Sequence, residues 1–346
     1  MPRFVLILIS LLSLTSVSTG QSVQPDALGR QIVSGHIVPG YARLATHTLS
    51  LKQAVDAACG DGGTWANDGL KQEFKKVLSA WMQVQHIRFG PAMAEDRFHR
   101  MAFWPDKHGR GPKQQRRVLN RSIDKVPGTD RIGRTSVALQ GLPSLERLIY
   151  PPRPWKEQQM VKVCKLARAI GHNLAAIAKG GHTAWKEFKH SGEQPLVELM
   201  VRNLVEHLTI ITDLKLARPM GRSTERARPS GGESWRSRQS LANIGNNMKG
   251  LQALLSGGDG APGLTSAIPD AGETAGIGNA IHEHLRFGIA TLESYELSLY
   301  DAVASETGRE KLRFLIAHTE GLKELVLLHV APALGVNLGF NSQDGD

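Results

Sequence analysis

The sequence lacks several features that would each indicate a definite class of protein. After the first 20 residues, no segment approaches about twenty uninterrupted apolar residues, which excludes a later membrane-spanning helix. No stretch shows convincing β alternation, so a glycine-rich phosphate loop, which follows a strand, is excluded as well. The His-Glu-x-x-His pattern of zinc peptidases is absent, and no serine or cysteine has an evident activating base.

What is present is a helical pattern. With 346 residues, 41% of them hydrophobic and 21% charged, the chain is long enough for two domains or one double-length bundle. Apolar residues recur at intervals of three and four, most clearly through Met160, Val163, Ala167, Ile170, Leu174 and Ile177. We therefore predict an all-α fold built as a helical bundle.

The pattern also predicts individual elements. Helices are expected at about 38–59, 113–123, 195–216 and 235–255, and another should begin with Asp68 as its N-cap and end near residue 90. Apolar residues at intervals of three and four predict two more helices, at 281–299 and 312–329. Residues 21–34 are polar with little periodicity and are interpreted as a loose lead-in.

The first 20 residues have the pattern of a secretory signal peptide. Arg3 precedes an apolar run from Phe4 to Leu14, and small residues lead to Gly20, after which cleavage is expected. No cysteine lies near this point, which argues against a lipid anchor. The mature protein is expected to be soluble and periplasmic. In an oxidising compartment the two cysteines, Cys59 and Cys164, are a candidate disulfide; two buried free thiols are the alternative.

The basic residues are unevenly distributed. The formal net charge is +10, and two segments carry much of the excess: 97–134 has eleven Lys or Arg against three acids, and 215–238 has seven against two. Export argues against nucleic acid as the partner. One interpretation is two solvated basic faces without a specific ligand. In the other, both segments border one cleft that attracts an anion such as a carboxylate-rich chelate.

The segment 141–150, Gly-Leu-Pro-Ser-Leu-Glu-Arg-Leu-Ile-Tyr, carries the main functional signal. Pro143 suits the first turn of a helix, which places Glu146 one turn later on the same face. The segment resembles the Gly-x-His-x-x-Glu motif of the imelysin family of bacterial envelope proteins. Gly141 and Glu146 match, but Pro143 stands where the family has a metal-binding histidine, and its side chain has no lone pair for a metal.

Other segments resemble imelysin-like proteins too: Trp81 with 88–91, then 103–106, 215–219, 233–237 and 339–346. The resemblance implies an all-helical fold of two bundle-like halves with a site between them, an envelope location, a link to iron uptake in some members, and a peptidase activity. We assign residues 21–190 to the half that carries the motif and 191–346 to the other. Residues 219–234 are a loop or boundary segment.

Glu146 is the candidate metal ligand, for iron or another divalent metal, with salt bridging to Arg88 or helix capping as the alternative. The further candidates for a ligand cleft are Trp81, Arg88, Trp104, Gly141, Pro143, Trp235, Arg236 and Ser237. For the tryptophans, ordinary core anchors are the favoured alternative. Among the histidines, His282 and His284 point about 200° apart on a helix and cannot share one ion. His207 and His329 are expected as hydrogen-bonded core residues, and His86 and His99 as minor site candidates.

The sequence thus favours an exported binding or accessory protein in iron or metal acquisition. A metal ion, an anionic chelate or an envelope protein is the expected partner. Two alternatives stay open. One is a metal-dependent peptidase in which a distant histidine restores the lost ligand; the other is a structural module that docks on an envelope complex through its basic faces.

Overall fold

The computed structural model describes residues 25–258 and 260–338. The predicted signal peptide and the segment 339–346 lie outside these ranges. The α-helices are α1 Pro25–Ile32, α2 Val38–Ala58, α3 Asp68–Val84, α4 Arg97–Met101, α5 Arg110–Leu119, α6 Val137–Gln140, α7 Leu142–Ile149, α8 Glu157–Lys186, α9 Leu196–Thr209, α10 Arg218–Met220, α11 Ser240–Ser256, α12 Ile277–Glu293, α13 Leu299–Ala302, α14 Glu306–Leu325 and α15 Ala331–Ala333.

Short π-helical and 3-10 segments connect or extend these helices. The π-helical segments are Val33–Ile37, Ile210–Ala217 and Val326–Val330. The 3-10 segments are Gly90–Ala92, Ala94–Asp96, Ile123–Lys125, Ile132–Arg134, Pro229–Gly231, Leu264–Ala267 and Gly272–Thr274. The described ranges contain no strand, and their only β pairing is an isolated bridge between Gly258 and Ala261. None of the described helices is long and apolar enough to cross a bilayer.

The helices pack as a row in which each long helix contacts its neighbours lengthwise. α2 lies between α8 and α3, and α11 lies between α3 and α12. The α3–α11 contact is close because Gly250 has no side chain: a Cβ there would collide with the backbone of Gln83. α14 then contacts α12, α9 and the π-helical segment after α9. The buried apolar side chains form one connected core from Leu28 to Val336.

The N-terminal lead-in prediction was wrong. Residues 25–32 form α1, which continues through the π-helical segment into α2. Leu28 and Ile32 are four residues apart, so they share one face of the helix, and both are buried. α1 packs against α9, where Gly29 allows Leu196 to approach the helix backbone. The few apolar residues of this polar stretch were too weak a signal to predict this helix.

Several predicted helix limits were also wrong, among them the end of α3, which lies at Val84 rather than near residue 90. Asn67, not Asp68, caps α3: its side-chain oxygen accepts a hydrogen bond from the Leu70 N–H at 2.9 Å. α11 begins at Ser240 rather than near 235, because Ser234 and Arg238 adopt left-handed φ angles of 55° and 60°, which an α-helix does not contain. α12 ends at Glu293, so the seam predicted to reach residue 299 is split between α12 and α13.

The structure contains a disulfide between Cys59 and Cys164, with Cα atoms 5.5 Å apart. Cys59 directly follows α2 as its C-cap, and Cys164 lies near the start of α8. The bond closes a segment of 105 residues. It therefore fixes the end of α2 against the long helix that packs beside it.

Candidate functional site

α7 positions the carboxylate of Glu146. Gly141 precedes the helix and lies against the Met101 carbonyl so closely that a side chain there would collide with it. Pro143 occupies the first turn, as predicted from its fixed φ. Glu146 follows one turn later, is 4% exposed, and accepts two hydrogen bonds on Oε1, from the Ser237 N–H at 2.9 Å and the Ser237 hydroxyl at 2.7 Å.

The loop that brings Ser237 to Glu146 is fixed by a buried ion pair. Lys215 Nζ and Glu233 Oε2 are 2.6 Å apart, and both side chains are buried. Lys215 also donates to Gln85 and Asn247 at 2.7 and 2.6 Å, and Gln85 donates to the second Glu233 oxygen at 3.0 Å. Burial lowers the pKa of Lys215, and Glu233 opposes that shift. The pair anchors the start of the loop to α3 and α11.

A cleft of about 260 Å³ opens beside Glu146. Its lining comes from both sides of residue 190, the boundary predicted from the sequence. The lining residues are Leu78, Trp81, Met82, Ala102, Phe103, Trp104, Pro105, Asp106, Gly109, Pro112, Leu142, Pro143, Glu146, Arg147, Arg218, Ser230, Gly231, Gly232, Glu233, Ser234, Trp235 and Arg236. We call this the Glu146 cleft.

The Glu146 cleft is rich in hydrogen-bond donors that have no acceptor. Arg218 and Arg236 line it, and neither forms a hydrogen bond or ion pair with another residue of the described part. The guanidinium of Arg236 lies over the Trp235 ring at 4.3 Å. At the buried wall of the cleft, the indole N–H of Trp81 has no hydrogen-bond partner among the described residues. The Trp81 N–H is buried, so leaving it unpaired is costly, whereas Arg218 and Arg236 are half-buried and accessible to a ligand that supplies acceptors.

The charges of Glu146, Arg147 and Arg236 influence one another's pKa values. Burial raises the pKa of Glu146, whereas the hydrogen bonds from Ser237 and the nearby Arg236 and Arg147 oppose that shift. Burial and the neighbouring Arg236 lower the pKa of Arg147 to about 10. The two acidic neighbours are already engaged, because Glu233 pairs with Lys215 and Asp106 accepts two N–H groups at the start of α5. With Lys215 counted beside Glu233, four cations (Arg147, Arg218, Arg236 and Lys215) face three acids (Asp106, Glu146 and Glu233), so the cleft has an excess of one positive charge.

Comparison with known proteins identifies the family. The chain matches the model of the imelysin peptidase family over residues 37–326. It belongs to the imelysin family. A search of curated proteins found no match. Its imelysin-like fold is shared with solved structures, and the all-α prediction is confirmed.

Two solved structures illustrate the likeness. An imelysin-like protein from Psychrobacter arcticum 273-4 has 17% sequence identity and a TM-score of 0.75, covering 91% of this chain and 97% of its own. A protein from Parabacteroides distasonis ATCC 8503, named provisionally as an iron-regulated protein A precursor, has 13% identity and a TM-score of 0.69, covering 90% of this chain and 96% of its own. At these identities the likeness concerns the fold.

The metal that the imelysin motif implies does not fit the residues around Glu146. Pro143 supplies no ligand atom, and one Glu146 oxygen is already hydrogen-bonded by Ser237. Arg147 and Arg236 lie close enough to influence its charge and would repel a cation. Within the ranges 25–258 and 260–338, no group of three or more His, Cys, Asp or Glu side chains could hold a metal ion.

The structure brings together most of the residues singled out from the sequence. Trp81, Trp104, Pro143, Trp235 and Arg236 line the Glu146 cleft, while Ser237 binds Glu146 and Gly141 allows α7 to approach Met101. Trp81 also serves the core, since it is 2% exposed.

Arg88 is not part of this arrangement. It pairs with Glu206 at 2.6 Å rather than with Glu146 and does not line the cleft. Sequence reasoning missed the roles of Arg147, Arg218 and Glu233, although the last two lie in segments that resemble the family. Of the two basic segments, only 215–238 supplies cations to the cleft; residues 97–134 supply Trp104 and Asp106 instead.

The histidines lie away from the cleft. His86 and His207 are buried together with His36, and His99 is paired with Asp96 at the surface. His207 is a fully buried core residue, as predicted. The core position predicted for His329 was wrong: its π-helical segment leaves the side chain half-buried.

On α12, His282 is exposed, as it points away from the core. The side chain of His284 stacks on His318 of α14, with ring centroids 3.7 Å apart. Each of these two rings lies within hydrogen-bond distance of the backbone carbonyl of the other residue, at 2.8 and 3.0 Å.

Proposed function

We propose that this member of the imelysin family is a periplasmic binding protein that acts in iron acquisition and takes an anionic metal chelate in the Glu146 cleft. One observation carries the proposal. Arg218 and Arg236 line the same cleft, and neither has an acceptor among the described residues. The guanidinium group matches carboxylate geometry with two parallel hydrogen bonds, so a polycarboxylate is the ligand class that these donors favour.

The size of the cleft supports a small ligand. A volume of about 260 Å³ lies near the lower end of ligand pockets, which are roughly 300–1,000 Å³, and suits a compact polycarboxylate rather than a peptide chain. Trp104 and Trp235 supply flat walls on which a ligand can pack. Glu146 keeps its place through Ser237, and its carboxylate lies near enough to Arg236 and Arg147 for their charges to influence it.

The link to iron and to the periplasm has separate support. The structurally similar protein from Parabacteroides distasonis carries an iron-regulated name. The first 20 residues of the chain have the composition of a secretory signal peptide. Iron that reaches the periplasm as a carboxylate chelate carries negative charge, which is the charge that the cleft accommodates.

Isothermal titration with citrate and ferric citrate tests this function. We expect one site per chain, and Arg218→Gln or Arg236→Gln should weaken binding about 10-fold or more, because each loses a charge-assisted hydrogen bond of about 1.5–3 kcal/mol. Arg222→Gln is the matched control: it removes an exposed arginine from the same basic segment, outside the cleft lining, and should leave the affinity unchanged. Equal binding by all variants would refute the site.

The peptidase activity implied by the family name requires a separate assay. Unfolded substrate proteins should remain intact in the presence of the purified protein, with or without added zinc. Cleavage that a chelator abolishes and that Glu146→Ala removes would contradict the proposed function, since it would demand a metal that the residues around Glu146 do not accommodate.

A further inference from the structure

A second pocket lies on the other side of the Trp235–Arg236 segment from the Glu146 cleft. Its volume is about 660 Å³, within the range of small-molecule sites. The walls come from the segment before α3, the proline-rich segment 150–155 after α7, the loop before α11, and α13. We call it the aromatic pocket, because its lining includes five rings: Trp65, Tyr150, Trp155, Trp235 and Tyr300.

The rings of the aromatic pocket are held in place by specific contacts. Trp65 and Trp155 donate their indole N–H groups to the same backbone carbonyl, that of Leu148, at 3.1 and 2.9 Å. On the opposite wall, Trp235 stacks on Tyr300 with ring centroids 5.8 Å apart and planes 19° apart. Fixed rings present their faces to a ligand without a large loss of side-chain entropy on binding.

The charge of the pocket has one sign. Four cations line it, Lys71, Arg153, Arg236 and Arg238, and no aspartate or glutamate belongs to its lining. Lys71 pairs with Asp68 at 3.4 Å and Arg238 with Asp301 at 3.0 Å, which leaves Arg153 and Arg236 for a ligand. Arg238 lies over the Tyr300 ring at 4.0 Å, and Arg236 lies over the Trp235 ring at 4.3 Å. These cation–π contacts hold the two guanidinium groups beside the pocket, where a ligand with negative charge would meet them.

Tyr150 adds a donor that has no acceptor. Its hydroxyl oxygen is buried and has no hydrogen-bond partner in the described part of the chain. Burial, with smaller contributions from Glu146 and Asp68, raises the pKa of Tyr150 to about 12, so the hydroxyl keeps its proton at neutral pH. A buried O–H without a partner costs free energy that an anionic acceptor would recover.

We propose that the aromatic pocket binds an aromatic anion, a planar ring that carries a carboxylate or phenolate group. The ring would stack on Trp65 and Trp155, because Trp235 and Tyr300 already stack on each other and carry Arg236 and Arg238 over their rings. The anionic group would accept from the Tyr150 hydroxyl and from Arg153. The site is distinct from the Glu146 cleft, and the two are adjacent because Trp235 and Arg236 line both. This inference does not depend on what the cleft binds.

Isothermal titration with three probes of similar size separates the contributions of ring and charge. 2,3-Dihydroxybenzoate carries both features, cyclohexanecarboxylate has the charge without the ring, and benzamide has the ring without the charge. We expect 2,3-dihydroxybenzoate to bind one-to-one, and both other probes to bind about 10-fold or more weakly. Equal affinity for cyclohexanecarboxylate or for benzamide, or no binding by the first probe, would overturn the proposal.

Two variants place the ligand in this pocket. Tyr150→Phe removes only the hydroxyl and should weaken 2,3-dihydroxybenzoate about 10-fold, whereas Arg153→Gln removes an exposed charge and should weaken it about 3-fold. Arg218 lines the Glu146 cleft but not the aromatic pocket, so Arg218→Gln should leave the affinity for 2,3-dihydroxybenzoate unchanged while it weakens the binding of citrate. If Arg218→Gln abolishes binding of the aromatic probe while Tyr150→Phe has no effect, the aromatic pocket is not the site.

Discussion

Lowering the pH from about 7.5 to about 5 should destabilise the fold through three buried histidines. His36 and His86 lie with their Nε2 atoms 3.2 Å apart, and the His207 ring centroid is 6.2 Å from that of His86. None of the three is more than 5% exposed. Arg43 disfavours a charge on His36, and Lys215 disfavours one on His207, so the interior resists protonation of these rings.

The size of the effect follows from His36. Burial lowers its pKa from the ordinary 6.5 to about 4. The unfolded chain therefore binds a proton near pH 6.5 that the folded chain does not bind until near pH 4, and stability is lost as the pH falls through this window. At about pH 5 the loss from His36 alone is about 2 kcal/mol. Burial also lowers the pKa of His86 and His207, which adds loss of the same sign.

Urea unfolding at the two pH values measures this loss, and His36→Gln isolates it. The wild-type free energy of unfolding should fall by about 2 kcal/mol more than that of His36→Gln between pH 7.5 and 5. Burial raises the pKa of Glu146, which contributes with the opposite sign, but that contribution is common to both proteins. His108→Gln removes an exposed histidine and should leave the wild-type pH dependence intact. Equal losses in the wild type and His36→Gln would refute the reasoning.

Three further changes test the framework of the fold by urea unfolding. The double substitution Cys59→Ser and Cys164→Ser should lower the free energy of unfolding by about 2–5 kcal/mol, and the wild type in reductant should match it. Lys215→Met leaves the Glu233 carboxylate buried without its partner and should lower the free energy of unfolding by about 3–5 kcal/mol. Adding Glu233→Gln should recover much of that loss. No recovery would show that Lys215 and Glu233 do not stabilise each other. Gly250→Ala should cost about 1–3 kcal/mol, because the new methyl group meets the α3 backbone; an unchanged stability would contradict that close packing.

Most of the fold could be predicted because long helices repeat their apolar residues. The seam through Met160 and Ile177 lies inside α8, and α2 ends one residue before Cys59. The errors occur where the signal is short or where backbone geometry overrides it. α1 has only a few buried residues. α11 begins later than predicted because Ser234 and Arg238 have left-handed φ angles, and no proline between them marks this break in the sequence.

The candidate site was only partly predictable. The matched family motif placed Glu146 on the first turns of α7, and the Trp235–Ser237 segment was selected by resemblance. No periodic pattern indicates that Ser237, 91 residues further along the chain, donates to Glu146. Likewise, Arg218 is one of many arginines in a basic segment, and only the packing of α10 beside the loop shows that it reaches the cleft.

Comparing citrate with a bare metal ion in the same titration tests the central claim most directly, because the Glu146 cleft is positively charged and offers donors rather than metal ligands. The account predicts that citrate binds one-to-one, that its affinity falls as salt rises, and that zinc or ferrous ion alone produces no binding heat. One-to-one binding of zinc or ferrous ion that Glu146→Gln abolishes, together with no binding of citrate, would contradict it.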